Sequence, residues 1–188
     1  PIGPIAIAHN GNIVNTTPVK AELLKDGAIF QGTNDTEVLL HLIARNKKAQ
    51  IEDKLIEALG LLEGAYSLVV LTQDRMIAVR DPMGFRPLSI GEMTLPDGKK
   101  TYVVASETCA FDLIGAKWVR DVECGEVVTI DDHGLKSKFL PKSGRKAQCI
   151  FEHVYFSRPD SIVFGKGVYE VRKNLGRILA QEQPAQAD

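Results

Sequence analysis

The spacing of apolar residues changes period near Tyr66, and no other feature limits the fold of this chain so tightly. From Thr17 to Leu62 the apolar residues recur at helical intervals. From Tyr66 to Leu140 they come mostly in short runs parted by turn residues. Helical patterns gathered early and strand patterns gathered later exclude the strict strand–helix alternation of a doubly wound parallel sheet. The expected class is therefore α+β, a layered domain with mostly antiparallel sheets.

The early part opens on Ile5-Ala6-Ile7-Ala8, a run suited to a buried strand, followed by His9-Asn10-Gly11-Asn12 and then Ile13-Val14. Asn-Gly between apolar runs predicts a hairpin turn, because both residues tolerate positive φ. Thr17 before Pro18 predicts a helix start, with the helix stopping at Gly27. Asn34-Asp35-Thr36-Glu37 has the spacing of a capping box, and Leu39, Leu42 and Ile43 follow on one helical face. A third helix is predicted from about Ile51 to Leu62, closed by Gly64.

The later part reads as hairpins. Tyr66–Leu71 and Met76–Val79 flank Gln73-Asp74-Arg75; Leu88–Gly91 and Thr101–Ala105 flank Pro96-Asp97-Gly98; Val127–Ile130 and Leu135–Leu140 flank Asp131-Asp132-His133-Gly134. Asp81-Pro82-Met83-Gly84-Phe85-Arg86-Pro87 is a loop by its Pro and Gly content. Ser106 is a candidate cap for a short helix over 107–114. Lys136–Lys146 reads as a solvated strand end and loop, Ile150–Phe156 as an apolar strand, and Val168–Glu182 as a strongly patterned helix. A domain boundary is expected between residues 141 and 149.

Composition removes whole classes of function. The chain has 188 residues, 44% hydrophobic and 25% charged, with 23 Lys+Arg against 24 Asp+Glu. This balance is ordinary for a globular protein and offers no general attraction to nucleic acid. No apolar run approaches the ~20 residues that span a bilayer, so no membrane partner is expected. Cys109, Cys124 and Cys149 are odd in number and widely spaced, with no CxxC pair. Free thiols fit a reducing compartment, and a cytoplasmic location is expected. The chain starts at Pro1 without an initiator Met, and the tail Gln183–Asp188 follows a patterned helix, so a fragment of a longer protein is expected.

Four places could carry chemistry. At His9-Asn10-Gly11-Asn12, Asn10 brings an amide donor and Gly11 a backbone N–H that no Cβ shields; two such donors can stabilise an oxyanion, although a plain hairpin turn is the simpler account. Asp35 opens a helix, where the dipole and unpaired N–H groups favour its anion and suit it to hold an ammonium group; helix capping alone explains the same pattern. Arg80 to Leu88 is taken with Ser106-Glu107-Thr108: Arg80 and Arg86 could clamp an anion, although bracing a loop by pairing with a neighbouring Asp is the simpler account. Cys149 before an apolar run is either a buried thiol or one ligand of an iron–sulfur cluster whose partners lie elsewhere. His9, His41, His133 and His153 show no metal-ligand spacing.

Together these segments resemble the glutamine amidotransferase domain of the amidophosphoribosyltransferase family. The resemblance rests on Ile5–Asn15 (IAIAHNGNIVN), Gly32–Leu39 (GTNDTEVL), Arg80–Leu88 (RDPMGFRPL), Ala105–Asp112 (ASETCAFD) and Phe151–Ser161 (FEHVYFSRPDS). HNG and the Asp-Thr-Glu helix start also occur in related class II amidotransferases such as glucosamine-6-phosphate synthase. RDPMGFRPL with FEHVYFSRPDS is narrower.

The resemblance implies an N-terminal-nucleophile hydrolase fold, two stacked antiparallel sheets between helical layers, over residues 1–145, and the start of a phosphoribosyltransferase domain over 146–188. It implies that an N-terminal cysteine attacks the glutamine amide, that Asn10 and Gly11 bind the oxyanion, and that Asp35 holds the α-ammonium of glutamine. The ammonia then passes to 5-phosphoribosyl 1-pyrophosphate, giving phosphoribosylamine, glutamate and pyrophosphate. It further implies Mg²⁺ at a site beyond Asp188, Cys149 as one ligand of a [4Fe-4S] cluster in the cluster-bearing branch, and a homo-oligomeric parent. Pro1 is not the nucleophile and no cysteine precedes Asn10. The segment alone is therefore expected to be inactive, and, lacking the N-terminal strand that the resemblance implies, to aggregate or pack loosely. Two rival readings are another class II amidotransferase and a non-catalytic domain that has lost its nucleophile.

Overall fold

The computed structural model describes residues 3–141 and 145–185. Expectations for Pro1, for residues 142–144 of the basic loop and for the end of the tail, 186–188, lie outside them. In chain order the structure has β1 (Ala6–Ile13), α1 (Thr16–Lys25), α2 (Asp35–Arg45), α3 (Ile51–Leu59), β2 (Gly64–Leu71), β3 (Met76–Arg80), β4 (Ser89–Thr94) and β5 (Lys100–Ala105). It continues with α4 (Cys109–Ile114), β6 (Lys117–Asp121), β7 (Glu126–Asp131), β8 (Gly134–Phe139), a π-helical turn (Glu152–Phe156), β9 (Ile162–Val163), β10 (Lys166–Gly167) and α5 (Val168–Glu182). These fall into two compact units interleaved in sequence: Pro1–Arg86 with Val122–Ala147, and Pro87–Asp121 with Gln148–Asp188.

The first unit is a five-stranded antiparallel sheet in the order β1-β2-β3-β7-β8, with helices packed on one face. Tyr66, Leu68 and Val70 of β2 alternate toward that face and meet Ile77 and Val79 of β3 and Val127 of β7. From α2 come Val38, Leu39 and Ile43, and from α3 Leu55 and Leu59, all buried. Helical spacing and strand alternation thus supply the two sides of one core. Each such side chain contributes about 1.5–3 kcal/mol through removal from water.

The N-terminus of α2 is built as its sequence predicts, with one difference. The Asn34 side chain accepts from the Thr36 N–H at 2.9 Å. Glu37 does not reach back to the cap residue; its carboxylate accepts from the N–H groups of Gln31 (2.7 Å) and Gly32 (3.0 Å). The approaching loop is thereby tied to the first helical turn.

The predicted hairpin at Asn10-Gly11 does not form. Both residues lie inside the continuous strand β1, with Asn10 opposite Ser67 and Gly11 opposite Tyr66. Gly11 is required for a different reason: its φ is +155°, and a Cβ there would collide with the Ala65 carbonyl. A turn signal and a close strand approach select the same residue, and only pairing with a strand more than fifty residues away separates them.

The second unit is a three-stranded antiparallel sheet, order β5-β4-β6, with α4, the π-helical turn, a β9-β10 hairpin and α5. Two of the sequence motifs meet here. The Glu107 carboxylate accepts from the Arg158 N–H (2.7 Å) and the Ser161 hydroxyl (2.8 Å), and the Thr108 hydroxyl accepts from the Ile162 N–H (2.8 Å). The expected strand over Ile150–Phe156 is instead the π-helical turn. Short apolar runs do not distinguish strand from helix, and here the carbonyls of His153 and Ser157 are taken by the Arg172 guanidinium at 2.6 and 2.7 Å. Helix α5 spans the predicted residues, but its apolar side chains Leu175, Ile178 and Leu179 are exposed.

Candidate functional site

Three of the four predicted places have residues in the first unit, and there Asp35 and Arg86 converge on β1. Pairing along the strand decides where each backbone group points. Tyr66, the partner of Gly11, turns away from β1: its carbonyl accepts from the Asp81 N–H at 2.8 Å, and its N–H lies 3.4 Å from the Asp81 carboxylate. Gly11 and Tyr66 are therefore a non-hydrogen-bonded pair, so the Gly11 N–H is directed outward, toward the edge of β1 that has no partner strand among the described residues. Ile13 has the same parity, and its N–H confirms that direction by donating to Asp35 Oδ2 at 2.9 Å. Two residues of strand separate the two N–H groups, about 7 Å. One edge thus offers a hydrogen donor and, a short step along, a carboxylate.

Asp35 reaches this edge because it is the first residue of α2, whose N-terminus abuts β1. Burial acts to raise its pKa, but the Ile13 N–H, the neighbouring His9 and the Thr36 hydroxyl and N–H outweigh it and hold the carboxyl below the ordinary value. His9 Nδ1 is 3.1 Å from the Thr36 hydroxyl and 3.4 Å from Asp35 Oδ1, while the Thr36 hydroxyl donates to Asp35 Oδ1 at 3.2 Å. The other ring nitrogen, Nε2, is buried and has no hydrogen-bond partner among the described residues. A cavity of about 530 Å³ opens here, with His9, Gly11, Asn34, Asp35 and Thr36 among its walls.

Asn10 lies on the opposite face of β1 from His9 and Gly11. A ligand must therefore sit at the strand edge to meet both the Asn10 amide and the Gly11 N–H. The Asn10 carboxamide is oriented by Arg86, whose Nε and Nη2 donate to Asn10 Oδ1 at 3.0 and 2.9 Å. Guanidinium carries donors only, so the atom facing it is the oxygen and the Nδ2 end is turned elsewhere.

The loop over 81–87 brings Arg86 to that position. Arg80, 4% exposed, donates to the carbonyls of Arg86 (2.9 Å), Val122 (2.8 Å) and Gly84 (3.1 Å). Asp81 takes the complementary role, accepting from the N–H groups of Met83 (2.9 Å) and Phe85 (3.0 Å). One residue thus satisfies the loop's carbonyls and the next its amides. Arg80 braces the loop and Arg86 leaves it, which separates two arginines that the sequence presents alike. His9 and Thr36 join the site beyond the residues given a role in it, the same-face spacing of His9 and Gly11 being the available signal for the first; Arg86, a candidate anion clamp from the sequence, instead holds the Asn10 carboxamide.

In the second unit Cys149 is partly buried, and its carbonyl accepts from the Glu152 N–H at 3.2 Å. Among the described residues no group of three or more His, Cys, Asp or Glu side chains is placed to hold a metal ion. Among them, too, no helix is long and apolar enough to cross a membrane.

A sequence model of the family described as glutamine amidotransferase domain matches residues 2–112. Amidophosphoribosyltransferase of Bacillus subtilis is 48% identical over 186 residues, covering 99% of this chain and 38% of its own. Amidophosphoribosyltransferase 1, chloroplastic, of Arabidopsis thaliana is 50% identical over 186 residues, covering 99% of this chain and 32% of its own. The chain thus spans less than two fifths of these relatives. The solved structure of glutamine phosphoribosylpyrophosphate amidotransferase from B. subtilis, complexed with ADP and GMP, superposes with a TM-score of 0.93 at 48% identity, over 99% of this chain and 40% of that one. A glutamine aminotransferase class-II domain protein from Silicibacter pomeroyi, 18% identical, shares the fold at a TM-score of 0.53 over 72% of this chain.

Proposed function

Because the chain belongs to the glutamine amidotransferase domain family, we propose that it forms the glutamine-cleaving part of an enzyme that hydrolyses glutamine and transfers the ammonia to 5-phosphoribosyl 1-pyrophosphate. The products are 5-phosphoribosylamine, glutamate and pyrophosphate. The N-terminal-nucleophile hydrolase fold, α+β with antiparallel sheets and helices, supports this, as does the resemblance to amidophosphoribosyltransferases over nearly the whole chain. The observation that carries the reading is the common edge of β1, where the Gly11 N–H and the Asp35 carboxylate lie two residues apart.

In this reading Asp35 receives the α-ammonium of glutamine, and the side-chain amide extends along the edge toward Gly11. A cysteine thiolate, supplied by a segment preceding this chain, attacks the amide carbon. The carbonyl oxygen takes the electron pair and is held by the Gly11 N–H and Asn10 Nδ2. Collapse restores the carbonyl as a thioester and breaks the C–N bond, and nitrogen leaves as ammonia with a proton from the nucleophile's own α-amino group. Water then hydrolyses the thioester to glutamate. Asp35 stays ionised throughout because its hydrogen bonds outweigh its burial.

Residues 1–145 are assigned to the glutaminase domain and 146–188 to the start of the phosphoribosyltransferase domain. The parent is proposed to be a cytoplasmic homo-oligomer using Mg²⁺ outside this segment. Cys149 supplies a single thiolate, which does not by itself hold a [4Fe-4S] cluster, so a cluster requires three further ligands from beyond the chain. A Cys149→Ser parent that keeps its full iron content removes that residue from the set.

Asn10→Ala in the full-length parent is expected to lower the glutaminase kcat about 10²- to 10³-fold while ammonia-dependent synthesis persists. An unchanged kcat would overturn the oxyanion assignment. Use of fructose 6-phosphate in place of phosphoribosyl pyrophosphate as acceptor would favour the glucosamine-6-phosphate synthase type.

A further inference from the structure

We infer that Arg86 is a positioning residue for glutamine cleavage, fixing the Asn10 carboxamide in the one orientation that presents its N–H₂ to the oxyanion. The inference rests on the proposed role of Asn10. A carboxamide can turn over, exchanging a donor for an acceptor at nearly the same place, and an acceptor facing the developing oxyanion would repel it. Cross-strand pairing does not decide between the two orientations, because it uses only the Asn10 backbone. Arg86 does decide: two guanidinium N–H groups on one oxygen, at 3.0 and 2.9 Å, leave the turned-over form with donors facing donors.

The support for Arg86 is itself closed into a ring. Its carbonyl accepts from Arg80 Nε at 2.9 Å and from the Ser67 hydroxyl at 3.3 Å. Ser67 stands opposite Asn10 across the β1–β2 ladder. From Asn10 to Ser67, from Ser67 to the Arg86 backbone, and from the Arg86 side chain back to Asn10, every link is a strand pair or a hydrogen bond. The Asn10 amide is held before substrate arrives, so no reorganisation is needed as charge develops.

The test uses the full-length parent with its own nucleophile, as wild type, Arg86→Met, Arg86→Lys, Asn10→Ala and the double variant Asn10→Ala/Arg86→Met. Arg86→Met is expected to lower the glutaminase kcat about 10- to 100-fold with KM for glutamine nearly unchanged, and to cause no further loss in the Asn10→Ala background. Arg86→Lys retains a donor to Oδ1 and is expected to recover part of the rate. Losses that multiply in the double variant would mean that Arg86 acts independently of Asn10 and would overturn the inference, as would a normal kcat in both single Arg86 variants. A normal kcat for Asn10→Ala would instead bring down the underlying reading of the site. Should Arg86→Met fail to fold, Arg86→Lys is combined with Asn10→Ala instead, and a folded lysine variant impaired by the same factor in both backgrounds would also overturn it.

Discussion

Replacing Asp81 by alanine in the full-length parent is expected to unfasten the loop that carries Arg86. The Asp81 side chain is wholly buried, and its two oxygens accept from Met83 N–H at 2.9 Å and Phe85 N–H at 3.0 Å, with Tyr66 N–H farther off at 3.4 Å. An acceptor removed from a buried N–H costs about 1–3 kcal/mol. The two short bonds dominate and both are only partly buried, which lets water compensate in part, so the expected loss is about 3 kcal/mol. At about 1.4 kcal/mol per decade this is roughly a hundredfold loss of protection. Amide hydrogen exchange of peptides covering residues 81–88 reads that loss directly, as the local opening equilibrium of the segment. Asp81→Asn keeps one acceptor but sets an N–H₂ against a backbone donor, and is expected to fall between wild type and alanine. Burial pushes the Asp81 carboxyl above its ordinary value, against the pull of the Met83, Tyr66, Phe85 and Gly84 amides. The folded protein therefore holds that proton more tightly than the unfolded chain, and the wild-type advantage narrows as pH rises through the folded pKa. Exchange in the alanine variant indistinguishable from wild type would refute the account of the loop.

The remaining predictions concern the core and the edge of β1. Leu55→Ala, at a site with no solvent exposure, is expected to cost about 2–5 kcal/mol in denaturant titration of the parent, and a loss under about 1 kcal/mol would show that the α3 face is not core. Gly11→Ala drives a Cβ into the Ala65 carbonyl and is expected to lower glutaminase activity about a hundredfold with faster amide exchange along β1; normal exchange there would contradict the close approach. Asp35→Asn is expected to raise KM for glutamine about 10- to 100-fold through loss of a charged partner. In the wild type, whose Asp35 pKa is lowered from 3.8, that interaction is present above the ordinary value and lost only as pH falls through the lowered one, which a KM series into the acid range checks. Prepared by itself, the 188-residue chain is expected to aggregate, because β1 is a sheet edge among the described residues; a monomer with a single cooperative thermal transition would contradict this.

Local pattern made several elements legible. Helix α5 spans the predicted Val168–Glu182, and the hairpins β2-β3, β4-β5 and β7-β8 form across the predicted turns, since spacing and turn residues act within a few positions. β6 was not predicted: Lys117-Trp-Val-Arg-Asp has no clear alternation, and it is a strand because β4 pairs with it, through a register shift between Ile90 and Gly91. The candidate residues Asn10, Gly11 and Asp35 could be named from residue chemistry and resemblance, but not their relation to one another.

The amino-acid sequence by itself determined which residues bear useful chemistry: a carboxylate at a helix start, a glycine with an unshielded N–H, an asparagine amide, and two arginines around a Pro-Gly loop. Those are properties of residue types and of neighbours within one turn of chain. Tertiary structure decided that Asn10-Gly11 is an edge strand rather than a turn, that the Gly11 N–H faces outward beside Asp35, and that Arg86 closes on an amide 76 positions away. The physical reason is that backbone hydrogen bonds in a sheet are assigned by the partner strand, so the direction of each donor is known only once distant segments have paired.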